Sequence, residues 1–222
     1  MCFSAAGSFG MSGVLAVVGT TSLARSAGRP QHMFAAVPFI FAAQQAAEGV
    51  VWLTMDGGAD ATLHHAAVNA FLGIALVAWP IWLPISLRRI EKDSLRRRAL
   101  TGLCWLGGAV SATALFLLLR WQPTATVTGH SIRYDYAGST NAVQSFINLA
   151  AYVTASVGPF FVSTARMTRT IGLTFAASLV IVYTVQRDVL VSVWCFFAAV
   201  LSGLILLAVA DVQPQAASSQ VA

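Results

Sequence analysis

Charge is what this sequence has least of. Asp, Glu, Lys and Arg make up 9% of its 222 residues, against ~25% in an ordinary soluble domain. That shortfall excludes a water-soluble domain of the usual surface chemistry. Lysine is nearly absent: Lys92 is the single copy and lies in a charged loop, so no last-span lysine exists to carry a retinal. Cysteine is scarce too. Cys2, Cys104 and Cys195 form no C-x-x-C pair, which argues against a disulfide framework or a paired-cysteine zinc site. No cationic segment precedes the first apolar run and no clear small-residue cleavage site follows it. A removed signal peptide is therefore not expected.

Apolar residues fill the space that charge leaves. They amount to 57% of the chain, with a mean hydropathy of +0.74. Several runs reach the ~20 residues needed to cross ~30 Å of hydrocarbon. The expectation is an all-α membrane protein, a seven-helix transmembrane bundle over residues 1–211 with a polar tail over 212–222. The spans are predicted at about 5–24, 33–55, 62–87, 99–119, 143–164, 170–185 and 189–210. Ser4, Ser8 and Ser12, interleaved with Gly7, Gly10 and Gly13, predict a first helix packed inside the bundle, because small residues let helices approach closely in lipid. Pro38 should kink the second span. Between the fourth and fifth spans, TATVT and SIRYDY alternate around Gly129 and His130, which predicts a short hairpin.

The cations orient the bundle. Placing the loops around Arg25, Arg88–Arg98 and Arg166 in the cytoplasm puts ten of the thirteen Lys/Arg inside and leaves Arg120, Arg133 and Arg187 outside. Excess Lys/Arg in cytoplasmic loops is the standard determinant of topology. The N-terminus is then outside and the C-terminus inside, with the bacterial inner (plasma) membrane as the expected setting. The net charge of +5 follows from this distribution, so a lipid bilayer is the expected partner and no nucleic acid is. A homo-oligomer stays open. SLAR before FAA at Ser22–Ala36, and STAR before FAA at Ser163–Ala177, recur with equal gaps. That echo suggests two three-helix units joined by the fourth helix, a 3+1+3 repeat of a kind some transporters carry.

Within this frame one stretch stands out, FAAQQAAEGVVW from Phe41 to Trp52. Glu48 is the one acid expected inside the bilayer, where it costs a few kcal/mol unless paired, so it is a functional candidate by default. Gln44 and Gln45 precede it by four and three residues and share its side of the helix. Trp52 lies one turn further along the same span, and Asn69, Asn148 and Tyr183 fall at the outer halves of other spans. Together they predict an outward-facing polar cavity with Glu48 near its floor. Such a cavity suits a small molecule, a proton or a metal ion, and hence transport or sensing. Gln44 and Gln45 would orient the ligand.

A second chemistry is open at the same end. Cys2, His64, His65 and Glu48 carry the donor types that hold zinc or copper. Glu48 could then serve as ligand or as catalytic general base for a bound water. That alternative is a metal-dependent membrane enzyme acting on a lipid-like or small substrate. A third reading makes RRIEKDSLRRR, Arg88 to Arg98, the docking loop of a structural subunit.

The opening MCFSA and the later QQAAEGVVW resemble an uncharacterised family of bacterial multi-spanning membrane proteins that begin MCFSA and carry a similar Gln–Glu–Trp stretch in the second span. The resemblance covers mainly the first third of the chain. It implies that Cys2, Gln45, Glu48 and Trp52 belong to a family pattern, and it implies no activity. Two other families fit less well. The adjacent His64 and His65 do not reproduce the spread of zinc ligands in alkaline ceramidase-like hydrolases. Pro30–Gln31 is similar to the namesake dipeptide of the PQ-loop transporters, but stands alone.

Overall fold

Helices form where the apolar runs are bounded by capping residues. A computed structural model describes residues 4–55, 60–129, 131–135, 142–165, 167–185 and 197–210. Helix α1 (Ala5–Ala24) starts at Ser4, whose side chain accepts the Gly7 N–H. Helix α4 (Ala61–Leu72) starts at Asp60, which accepts the Thr62 N–H. Helix α6 (Ser94–Arg120) starts at Asp93, which accepts the Arg96 N–H. Each cap satisfies a donor that a helix start otherwise leaves unpaired.

The second apolar run is divided by its proline. Helix α2 (Arg29–Ala35) ends before Ala36, and α3 (Val37–Thr54) begins with Pro38 in its first turn. Proline has no N–H to give and is tolerated there, so the expected kink is a break at the single residue Ala36. The third run also bends around prolines. After α4 comes a π-helical turn, Gly73–Ala78, and then α5 (Trp79–Ile90) with Pro80 near its start and Pro84 inside.

These elements join into seven helical rods among the described residues, counting α7 (Ala142–Val162), α8 (Thr168–Val185) and α9 (Phe197–Ala210). Five stretches are long and apolar enough to cross a membrane: Ala5–Ala24, Arg29–Thr54, Ala61–Ile90, Ser94–Arg120 and Gln144–Val162. Thr168–Ile181 and Phe197–Ala210 are shorter apolar helices. The chain is an all-α membrane protein. The hairpin predicted after the fourth rod is present as β1 (Thr124–Thr128) paired antiparallel with β2 (Ser131–Asp135), Thr128 opposite Ser131. Gly129 supplies the left-handed φ of 61° that a two-residue hairpin turn needs.

Packing divides the interior into two apolar layers. One holds Phe34, Phe41, Trp79, Leu83, Phe160 and Ile205 among others. The second holds Val51, Val68, Phe71, Leu118, Ile132 and Tyr134, so the inward face of β2 closes over α3 and α4. Tyr134 stacks on Phe71 at 4.6 Å between ring centroids. At the cationic end, Arg96 Nη1 donates to the Val162 carbonyl at 2.8 Å, and Trp82 Nε1 donates to the Met33 carbonyl at 2.8 Å. The first bond ties the start of α6 to the end of α7, and the second ties α2 to the first turn of α5.

The first helix corrects an expectation. Ser8, Leu15, Gly19 and Ser22 are its buried residues, and Ser12 donates to the Ala42 carbonyl at 2.8 Å. Gly10 and Gly13, expected at a tight interface, are exposed, with open space where a Cβ would point. Helix α1 is therefore peripheral. The stripe that packs on α3 is narrow, and the small residues lie on both of its faces.

Candidate functional site

Helix α3 carries a polar layer between the two apolar ones. Its buried face runs from Phe41 and Ala42, through Gln44, Gln45 and Glu48, to Val51 and Thr54. The spacing of three and four residues places the three polar side chains on the inward side of one helix. Glu48 and Gln45 are both 0% exposed, and Gln44 is nearly so. Six residues separate Glu48 from the end of α3 at Thr54, or ~9 Å at 1.5 Å per residue. The carboxylate thus lies well inside the helix and not at its end.

Two amides and an indole belong to the same layer. Gln45 Nε2 donates to Glu48 Oε2 at 3.3 Å. Gln44 Oε1 accepts from Trp79 Nε1 at 3.0 Å, and the Trp79 ring packs against Phe41 with centroids 4.3 Å apart. Trp79 thereby fixes the orientation of the Gln44 amide. On the other side, α1 approaches closely. A Cβ on Gly49 would come within 2.8 Å of the Phe9 ring, so glycine beside Glu48 permits that contact. The preceding Ser8 is fully buried, and its hydroxyl has no hydrogen-bond partner among the described residues.

The other predicted residues have different surroundings. Trp52 is partly buried against the Val51 layer. Thr54 Oγ1 lies 2.8 Å from His64 Nδ1, while His65 is exposed. Asn69 is exposed on α4 and donates back to the His65 carbonyl at 2.8 Å. Asn148 is exposed on α7 and accepts from Gln144 at 2.9 Å. Tyr152, one turn on, donates to the Ala75 carbonyl at 2.6 Å and joins α7 to the π turn. Tyr183 is on α8, its side chain outside the described set. Cys2, Asp56, His130, Cys195, the turn at Gln186–Asp188 and the polar tail also lie outside the described residues. Among the described residues no group of three or more His, Cys, Asp or Glu could hold a metal.

A second buried acid went unnoticed in the sequence. Glu91, in the turn between α5 and α6, is 3% exposed. Its Oε1 accepts the N–H groups of Lys92 and Asp93 at 2.9 and 3.0 Å and the Thr164 hydroxyl at 2.8 Å. Its Oε2 accepts the Thr164 N–H at 2.6 Å. Burial pushes the carboxyl up, but the N–H groups of Asp93 and Thr164 and the hydroxyls of Thr164 and Ser163 outweigh it, and the pKa falls from 4.5 to about 2. Glu91 is a latch between two loops. No signal in RRIEKDSLRRR sets it apart from a solvated charge, because its main partner is 73 residues away.

An interior carboxylate among amides, on the second rod of an all-α bundle, defines a multi-spanning membrane protein with a polar site inside it. The chain belongs to a family of unknown function, DUF6629, whose model matches residues 1–221. That match covers the later helices as well as the first third that carries the MCFSA and QQAAEGVVW stretches. No curated protein and no solved structure matches the chain.

Proposed function

We propose that this protein binds a proton, a cation or a small polar molecule at Glu48 and uses that binding for transport or sensing in the inner membrane of a bacterium. The observation that carries the reading is the complete burial of Glu48 between two apolar layers of a span. A carboxylate there is costly, and such residues mark ion and substrate pathways. Two features support it. Gln44 and Gln45 are buried with the acid, and Trp79 orients one of the two amides. Ser8, on α1 beside the Phe9–Gly49 contact, contributes a buried hydroxyl without a partner among the described residues. Under this reading the cationic end faces the cytoplasm, as the distribution of Lys/Arg requires. A ligand arrives from the hairpin side.

A hydrophobic carbodiimide, which modifies protonated carboxyls inside membranes, tests the proposal directly. Mass spectrometry of the labelled protein should find the adduct on Glu48, falling as pH rises and falling again with Na+, K+ or Zn2+. Protein carrying Glu48→Gln should purify as the same monodisperse species and take no label in that helix. Labelling indifferent to pH and to all three cations would reduce Glu48 to a structural partner of Gln45.

A further inference from the structure

The outward stripe of α6 is ordered by chemistry along its length. Arg97, Arg98, Thr101, Trp105, Ala112 and Phe116 fall within roughly 100° of arc around the helix. Arg97 and Arg98 are exposed, Trp105 is 78% exposed and Phe116 is 65% exposed. Gly102, alongside, has open space where a side chain would be. The stripe begins with two guanidiniums at the end of the span. An indole follows ~12 Å deeper, with small residues between it and a phenyl ring.

A third guanidinium is held beside the first two. Arg88, from the last turn of α5, donates through Nε to Thr101 Oγ1 at 2.8 Å. The Thr101 hydroxyl in turn donates to the Arg97 carbonyl at 2.8 Å. Thr101 is four residues from Arg97 and three from Arg98, so Arg88 is fixed on the face where both emerge. The acids nearby are occupied elsewhere. Glu91 accepts from Thr164 and from N–H groups of its own turn, and Asp93 caps α6. Among the described residues the one ion pair is Arg133–Asp135, in the hairpin. The three arginines thus share one face, and none of them is ion-paired among the described residues.

We infer that this stripe is a binding site for an anionic phospholipid. Arg88, Arg97 and Arg98 hold the headgroup phosphate, the ligand for which the planar guanidinium fork is suited. Trp105 lies at the depth of the ester region, where indoles favour the membrane interface. An acyl chain then runs along the small residues towards Phe116. The site is narrower than the general positive charge of that end, which also includes Arg25, Arg29 and Arg169.

Thermal unfolding and native mass spectrometry of the detergent-purified full chain test this with three probes: phosphatidylglycerol, phosphatidylcholine and inorganic phosphate. Phosphatidylglycerol alone should raise the unfolding temperature and remain bound in the gas phase. Arg97→Gln with Arg98→Gln should weaken that binding roughly tenfold or more. Arg25→Gln with Arg29→Gln removes the same charge from the same end and should leave it near the wild-type value. If the α6 pair does not purify, Arg88→Gln alone should still weaken binding severalfold. Equal losses in both double variants would mean a diffuse field and overturn the site. So would equal retention of phosphatidylcholine, or a stabilisation that free phosphate reproduces.

Discussion

The Glu91 carboxylate accepts the Thr164 N–H at 2.6 Å across 73 residues of sequence. With Arg96 donating to the Val162 carbonyl, it ties the α5–α6 turn to the α7–α8 turn. Arginines flank both turns in the sequence, yet this carboxylate is used to hold the two turns together.

Acid should loosen this latch. The folded pKa of Glu91, about 2, lies below its ordinary 4.5, so the folded state gains from ionisation. The gain is complete above about 4.5 and disappears as pH falls towards about 2; it amounts to about 3 kcal/mol at neutral pH. Thermal unfolding in detergent should show wild-type stability falling through that window. Glu91→Gln should start less stable and be flatter across it. Parallel curves would show that the latch contributes nothing.

Tyr152 and Pro80 should be coupled. In a π turn the N–H five residues on reaches back to a carbonyl, and for Ala75 that residue is Pro80, which has none. The Tyr152 hydroxyl fills the place at 2.6 Å. Tyr152→Phe should cost roughly 1 kcal/mol, in the range of hydrogen bonds between membrane helices. In a Pro80→Ala background, where a backbone N–H is restored, the same change should cost clearly less. A double-mutant cycle reads the difference, and additive losses would refute the coupling.

How far the sequence disclosed this architecture depends on the range of each interaction. The helical, membrane-spanning character follows from local hydropathy, and the hairpin from alternation over ten residues, so both were legible. The grouping of Gln44, Gln45 and Glu48 was legible for the same reason, since one helix turn sets it. Partners across the bundle were not. Trp79 meets Gln44 from 35 residues away, and no local spacing pairs the two. Asn69 and Asn148 have the depth expected of cavity residues, yet both are exposed and bond within their own helices. Depth along a span is written in sequence position; rotation about the helix axis is set by neighbours.

The Gln44–Trp79 bond gives a test of the polar layer as structure. Trp79→Phe keeps the aromatic contact with Phe41 but leaves Gln44 Oε1 without this donor. A buried acceptor stripped of a partner costs about 1–3 kcal/mol. Adding Gln44→Leu should recover part of that loss, because removing both partners costs less than orphaning one. The measurement is the unfolding temperature of the two singles and the double. A double no better than Trp79→Phe would mean that Gln44 does not depend on the indole.

Two adjacent glycines on α6 should behave in opposite ways. Gly107 faces α5, and a Cβ there would overlap the Pro80 carbonyl. Pro84 lacks the N–H that would otherwise reach back to that carbonyl, which leaves it free for the close approach of α6. Backbone cannot swing aside as a flexible side chain can, so Gly107→Ala must push the helices apart and should cost about 1–3 kcal/mol. It should also weaken the Ser111 bond to the Val77 carbonyl, one turn along the same contact at 2.7 Å. Gly108 has nothing within reach of a Cβ. There alanine has open space for its methyl and gains the better helix propensity, worth up to about 1 kcal/mol. Unfolding temperatures of the two variants should therefore fall on either side of wild type. Two equal losses would mean that α6 tolerates no alanine in this turn and that the Pro80 contact is not the cause.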